Sequence, residues 1–573
     1  MPTTKLSRRT VLKGGAAGLV AFMSGCAVNT APGPLIGFRP VPRAAATGDA
    51  VVVSDDYDYQ VLIPWGEPLT PSGPAYSWPP GANQSAQVGI GHDGMHFFPV
   101  DDRGDRGVLA MNNEYGSNIH VFGRERPADA ADVRASQEAH GVTLVELEKK
   151  GGEWKTAESR NARRIHLGTE VTFGGPVAGH PLIQNRAGNP YAGTLNNCAN
   201  GATPWGTYLT CEENFNFYFG ALGDYSPTAT QQRYGFIPTG VGYDWHRYDP
   251  RFDLSNPDYA GEQHRFGWVV EIDPTDPDAL PVKRSAMGRF KHEGAALVEG
   301  GDGRIVAYMG DDQRFEFIYR FVSSGDWREM RAAGRSPLDE GVLYVARFDE
   351  GGRGEWLPLT LDNPKLAGQF EDQATLLVHT RLAATLAGAT PMDRPEWTTV
   401  APSGDVYCTL TNNTRREVAD AANPFAPNPN GMVIRWRDDD NHLGRYFSWD
   451  HFLLSNDYLE GEDSFASPDG LMADPDGRLF ICTDGQQHDG MPNQLLVADT
   501  RTGELSRLLT GVTGCEITGL TMTPDRRTLF VNVQHPGNGD PTVTNFPAAA
   551  DGVTVPRDST LAIRRRDGGI VGS

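Results

Sequence analysis

One pattern recurs along the chain and restricts its fold more than any other feature: a tight turn, a short β-prone run, then a burst of acids, amides or histidine. It reads G-V-L-A-M-N-N-E-Y at 107–115, W-G-T-Y-L-T-C-E-E-N at 205–214 and G-R-I-V-A-Y-M-G-D-D at 303–312. It returns as S-G-D-V-Y-C-T-L-T-N-N at 403–413, D-G-R-L-F-I-C-T-D-G at 476–485 and R-R-T-L-F-V-N-V-Q-H-P at 526–536. Several runs follow A-P-S-G-D, D-P-D-G-R or T-P-D-R-R, which are turn signals that open hairpins. Each run is too short for a helix and too rich in β-branched and aromatic residues, so it reads as a strand. Further strands are expected at 267–274 and 343–349. Many short strands and six copies of one element predict an all-β fold, a six-bladed β-propeller. The copies lie roughly one hundred residues apart early and roughly fifty apart late, so the early blades carry loop insertions, one of them at 225–266.

In a propeller, equivalent strands end at the same mouth of the central channel. Glu114, Glu212, Glu213, Asp311, Asp312, Asn412, Asn413, Asp484, Gln534 and His535 are therefore expected near one axis. The composition agrees with a cation site there. The 573 residues include 73 acids against 51 Lys and Arg, a formal net charge of −22. That balance argues against a nucleic-acid partner, because phosphate backbones are bound by clustered cations. The carboxylate excess suits either plain solubility or hard cations with oxygen ligands.

The N-terminus reads as an export signal at 1–30. Ser7 to Lys13 contain the pair Arg8 and Arg9, and the uncharged stretch 14–25 is too short to span a membrane. The paired arginines fit the twin-arginine type, whose export machinery is then a partner, and the product is periplasmic or extracellular. Met23 to Cys26 also resembles a lipoprotein processing box, which would make Cys26 an acylated anchor. Residues 31–50 read as a linker and 51–573 as one catalytic propeller domain, expected to be a monomer. Beyond Cys26 there are five cysteines, Cys198, Cys211, Cys408, Cys482 and Cys515, so at least one thiol is unpaired. Either it is buried, the default for a free cysteine, or it has other work; a Cys198–Cys211 disulfide is the competing possibility.

Four further segments place ionisable groups beside small residues: G-R-F-K-H-E-G-A at 288–295, M-D-R-P-E-W at 392–397, S-P-D-G-L at 467–471 and G-C-E-I-T-G at 514–519. They present Lys291, His292, Glu293, Arg394, Glu396, Asp469 and Glu516. Arg394 and Glu396 are two apart, hence on one face of an extended strand, and suit either an ion pair or an anion-binding arginine beside a metal carboxylate. No serine nucleophile elbow, phosphate-binding loop, dinucleotide glycine signature or zinc-binding helix stands out. Hard oxygen ligands favour calcium, whereas a thiolate among them favours a transition metal. The mixture points to two kinds of metal.

The first three of these segments, with N-N-C-A-N-G-A-T-P-W-G-T-Y-L-T-C-E-E-N, F-G-W-V-V-E-I-D-P, Y-M-G-D-D-Q-R-F-E, L-T-N-N-T-R-R and F-V-N-V-Q-H-P-G, resemble the PhoX family of exported alkaline phosphatases. The resemblance implies a six-bladed propeller whose channel holds iron (Fe3+) and calcium (Ca2+). It implies Cys198 as an iron ligand, Glu293 and Glu396 as metal carboxylates, Glu213 as a calcium ligand and Arg394 as a phosphate contact. Glu114, Asp312, Asp484 and Glu516 are added as metal ligands from the strand-end argument. The expected reaction is hydrolysis of phosphate monoesters to inorganic phosphate by a metal-bound oxo or hydroxide, with calcium and Arg394 clamping the transferring oxygens and either a metal or Lys291 stabilising the leaving oxygen. Two other readings remain: a calcium-dependent propeller hydrolase acting on phosphodiesters or lactones, and a non-catalytic propeller with structural calcium.

Overall fold

The computed structural model describes residues 33–46, 48–79 and 83–573. The export signal and Cys26 fall outside them. All six runs form strands: Arg106–Asn113, Tyr208–Glu212, Arg304–Asp311, Val406–Leu410, Arg478–Thr483 and Leu529–Gln534. Each pairs antiparallel with a strand just before it: His92–Pro99, Asn197–Ala202, His292–Glu299, Pro395–Val400, Pro468–Ala473 and Glu516–Met522. These six preceding strands are the innermost. Each lies against the next, and Glu516–Met522 lies against His92–Pro99, so the ring closes. Glycine permits the approach: a Cβ on Gly201 would sit 2.1 Å from the Ala295 carbonyl, and one on Gly519 would sit 2.4 Å from that of Asp93.

From this ring the chain runs outward as antiparallel meanders, giving a propeller arrangement of sheets. The sequence reading expects six separate blades, whereas the hydrogen-bonded sheets among the described residues number five. One sheet has nine strands, because the meanders beginning at His292 and Pro395 join along their outer strands, where Arg353, Gly354 and Glu355 pair with Ser448, Phe447 and Tyr446. Closure is circular: Tyr57–Leu62, near the N-terminus, adds to Ser559–Arg565 near the C-terminus. The apolar faces between sheets are filled by residues such as Leu209, Met309, Ile434, Leu496 and Val531, all fully buried. Each such side chain contributes about 1.5–3 kcal/mol through burial.

The stretch read as a linker is anchored to the propeller at Ile36, Phe38 and Val41, which are buried. Ile36 and Phe38 enter the core between the last sheets, and Arg39 Nη2 meets Asp56 at 2.8 Å. The insertion at 225–266 forms Ala229–Arg233 and several single 3-10 turns around an aromatic cluster that includes Phe219, Trp245 and Phe252. A second insertion lies in the middle of the chain, where Gln373–Val378 and Thr380–Ala387 are helical. Its helices carry a buried stripe of Leu376, Leu377, Ala383 and Ala384 that seats them on the core. Among the described residues no helix is long and apolar enough to cross a membrane.

Candidate metal centre

An inner strand begins, and its partner ends, at the same end of an antiparallel pair, so two rings of side chains meet at the channel mouth. The first ring is regular: Asp93, Cys198, Glu293, Glu396 and Asp469 are each the second residue of their inner strand, and Glu516 is the first of its own. The ladder register slips just after Asp93, Glu293, Glu396 and Asp469, and such bulges re-aim side chains. The second ring follows the ends of the partner strands: Glu114, Glu213, Asp312, Asp484 and His535. Together they surround a cavity of about 360 Å³ lined by Glu114, Cys198, Glu213, Glu293, Asp312, Arg394, Glu396, Asp469, Asp484 and Glu516. The insertion supplies Val241 and Tyr243 to its wall.

Among the described residues, possible ligand atoms lie within 4.8 Å of one another in four triads: Asp93, Glu114 and Cys198; Cys198, Glu213 and Glu293; Glu293, Asp312 and Glu396; and Asp484, Glu516 and His535. Cys198 and Glu293 link the first three. The charges are too crowded to stand alone. Burial first, then the charges of Glu213 and Glu396, push the Glu293 carboxyl well above its ordinary range, and its Oε2 is buried with no partner. Burial and neighbouring acids likewise raise Glu114, Glu213, Glu396, Asp469 and Glu516. Cys198 Sγ donates to Asp93 Oδ2 at 3.0 Å, a bond that requires the thiol proton, and burial with the charge of Asp93 holds that thiol well above its usual value. Cations among these oxygens would reverse both effects. The donor set, mostly carboxylate with one thiol and one imidazole, fits hard cations beside a softer one. His535 Nδ1 donates to the Gly514 carbonyl at 3.0 Å, which leaves its Nε2 lone pair facing Glu516 at 3.7 Å.

The paired acids of the sequence divide their roles. Glu213 faces the cavity, but Glu212 turns into the blade, where it accepts from Lys283 Nζ at 2.7 Å and from the Gly267 and Trp268 amides. Asp312 faces the cavity, whereas Asp311 is locked to Arg381, which is fully buried. Glu212 and Asp311 therefore do not reach the axis. The Asn413 side chain also turns aside, its Oδ1 accepting from the Arg415 backbone N–H at 3.1 Å.

Arg394 sits at φ 58° just before its strand and donates to Asp312 through Nε and Nη2 at 2.7 and 2.8 Å, with Nη2 2.8 Å from Glu396. The arginine and Glu396 do pair, but inside the cavity. Burial opposes ionisation of Asp312, yet Arg394 outweighs it and pulls that carboxyl below its usual range. Lys291 is one layer back: its Nζ donates at 2.5 Å to Oδ1 of Asn214, which lines the cavity. Burial lowers Lys291 to about 8. The described cysteines are all free and buried, and Cys211 lies in the apolar core with Trp268 and Ala295, so no Cys198–Cys211 bond exists.

Asp93 is absent from the sequence reading, although it accepts from Cys198 and from Thr518 Oγ1 at 2.5 Å and lies against Glu114. Its signal was present: H-D-G at 92–94 parallels H-E-G at 292–294 and P-D-G at 468–470.

A family model described as alkaline phosphatase PhoX matches residues 36–537. The solved structure of Pseudomonas fluorescens PhoX in complex with vanadate, a transition state analogue, is 43% identical and covers 94% of this chain and 100% of that one, with a TM-score of 0.88. A Dyadobacter fermentans protein of unknown function is 12% identical over 84% of this chain and 98% of its own, with a TM-score of 0.35. No curated protein matches.

Proposed function

Because the chain belongs to the PhoX alkaline phosphatase family and is a phosphatase, we propose that it hydrolyses phosphate monoesters to inorganic phosphate with iron and calcium in the channel. The observation that supports this most is the ring of inner-strand acids and one thiol around a single cavity, with Glu293 Oε2 left without a partner. Cys198 with Asp93, Glu114 and Glu293 would hold iron, since the thiolate selects the softer ion, and Glu213, which groups with Cys198 and Glu293, would add its oxygens to calcium. Glu396, Asp312, Asp469, Asp484 and Glu516 would hold calcium through oxygen. When bound, these ions supply Lewis acidity and offset the charge of an incoming phosphate.

The chain's own groups then position the ester. Arg394 is held by Asp312 and Glu396 through Nε and Nη2, so Nη1 is left to donate to a phosphoryl oxygen. Lys291 acts through Asn214, keeping a positive charge behind the wall where negative charge develops on the leaving oxygen. With a metal bound, Cys198 would be held as thiolate, and it and Asp93 would both be free to serve as ligands instead of bonding to each other. No side chain is placed as a covalent nucleophile.

The nine-stranded sheet counts as two blades, which gives six with the closed ring of six inner strands. We assign residues 1–30 to a twin-arginine signal and 51–573 to the catalytic propeller, with 31–50 joining them. The enzyme then acts as a monomer outside the cytoplasm, free or anchored through Cys26. The test is metal analysis of exported protein, with initial rates on a phosphate monoester, a phosphodiester and a lactone, with and without a calcium chelator. Iron and calcium together with chelator-sensitive monoester hydrolysis are expected. A calcium-only protein that prefers the diester or lactone would replace this reading.

A further inference from the structure

Beside the segments that carry Asp312 and Arg394, two arginines have no ion pair among the described residues. Arg314 follows cavity-lining Asp312 by two residues, and its backbone forms a bridge with Asp393, the neighbour of Arg394. Its Nη2 donates to Asn412 Oδ1 at 3.2 Å, and its Nε is buried with no partner. The nearby carboxylate, Asp312, is already occupied on both oxygens by Arg394. Arg415, three residues after Asn412, is exposed and is fixed through its backbone N–H, which donates to Asn413 Oδ1 at 3.1 Å. The next residue fastens this loop to the segment bearing Arg314. Arg416 Nε meets Asp393 Oδ1 at 2.6 Å, its Nη2 donates to the Pro391 carbonyl, and its guanidinium lies 5.2 Å over the Phe315 ring.

Of these four arginines only Arg394 lines the cavity, and the structure treats them differently. Arg394 and Arg416 are committed to carboxylates; Arg314 and Arg415 are not, in a chain with 22 more acids than bases. Unpaired cations beside a site for anions favour a ligand that brings more than one negative group.

We propose that Arg314 and Arg415 form a second anion subsite, which holds a phosphate on the leaving group while the phosphoryl group to be transferred lies at Arg394. The preferred substrates are then bisphosphorylated molecules. In the reaction, water adds its oxygen to phosphorus, the ester P–O bond breaks, and the leaving alcohol takes a proton and departs with its remaining phosphate. The inference rests on the phosphatase reading above, and binding tests it apart from turnover.

Hexane-1,6-bisphosphonate and hexylphosphonate have C–P bonds that resist hydrolysis, so calorimetric affinity for the metal-loaded protein reports recognition alone. The native protein is expected to bind the bisphosphonate at least about tenfold more tightly, the scale of one charge-assisted hydrogen bond. The double variant Arg314→Gln, Arg415→Gln should lose most of that excess and bind the two alike, and Arg415→Glu, altering only an exposed side chain, should invert it. Equal affinities in the native protein, an excess that survives in the variants, or no binding of either ligand would overturn the subsite. The same excess in a protein that hydrolyses no monoester would sink the phosphatase reading and leave the subsite standing.

Discussion

Glu212 and Glu213 are adjacent in sequence and opposite in role, and exchanging each for glutamine separates fold from site. Glu212 is fully buried and accepts three hydrogen bonds, from Lys283 Nζ at 2.7 Å, Gly267 N at 2.9 Å and Trp268 N at 3.1 Å. Glu212→Gln leaves Lys283 as a buried cation with the Arg265 carbonyl at 2.7 Å and the Phe266 ring at 4.3 Å as its remaining support. Removing one member of a buried ion pair costs about 3–5 kcal/mol. With an unfolding entropy of about 2.1 cal/mol/K per residue, a chain of this length loses roughly 1 kcal/mol per degree, so the melting temperature should fall by roughly 3–5 °C. Glu213→Gln does the reverse in metal-free protein. Burial, then repulsion from Asp312, raises the Glu213 carboxyl, so deleting its charge at pH 8 removes an unfavourable term and the melting temperature should rise. Differential scanning calorimetry of chelated protein, with elemental analysis after metal reloading, reads both effects. Glu212→Gln should keep its metals and Glu213→Gln should lose them. A Glu212 variant that melts normally but loses metal, or a Glu213 variant that melts as low as the Glu212 one, would refute the division.

Asp93→Asn should reduce metal content and lower kcat/KM by about 100-fold or more, because the carboxylate both contacts Cys198 and borders the first triad; unchanged metal and rate would remove Asp93 from the centre. In metal-free protein, Glu114, Glu213, Glu293, Glu396, Asp469 and Glu516 have carboxyls raised by folding. An acid bound more tightly to its proton in the fold contributes stability below its unfolded value of about 4 and loses it as pH rises through the folded value. The melting temperature of chelated protein should therefore fall from about pH 5 upward, while metal-loaded protein shows a flatter profile; parallel profiles would contradict this. Lys291→Met should lower kcat by about tenfold with metals retained, and should change the pH profile of kcat above neutrality, because burial lowers the lysine from its ordinary value. A native profile unchanged by the substitution would leave Lys291 as packing alone.

The runs ending in polar bursts are legible because a strand of five or six residues between turns carries its own signal, and all six form. Their ends placed Glu114, Glu213, Asp312 and Asp484 correctly at the mouth, since the end of each partner strand is fixed by the turn that follows. Sequence alone could not separate Glu212 from Glu213 or Asp311 from Asp312. That choice depends on Lys283 and Arg381, which arrive from 71 and 70 residues away. The fused nine-stranded sheet was equally hidden, since it rests on outer strands whose pairing leaves no local mark. Asp93 was readable in principle: an acid before glycine opens three of the inner strands, but it becomes a pattern only when those strands are aligned. The helices at 373–387 were missed because a short apolar run in a β-rich chain does not declare its period.

The central claim is that the buried ring of acids and the Cys198 thiol hold the metals on which phosphate release depends. It is tested most directly by iron and calcium content and phosphate-monoester hydrolysis in native and Cys198→Ala protein, purified side by side after export. The account predicts iron and activity in the native protein, and loss of both in Cys198→Ala with its melting transition retained. A fully active, iron-free Cys198→Ala protein would contradict it.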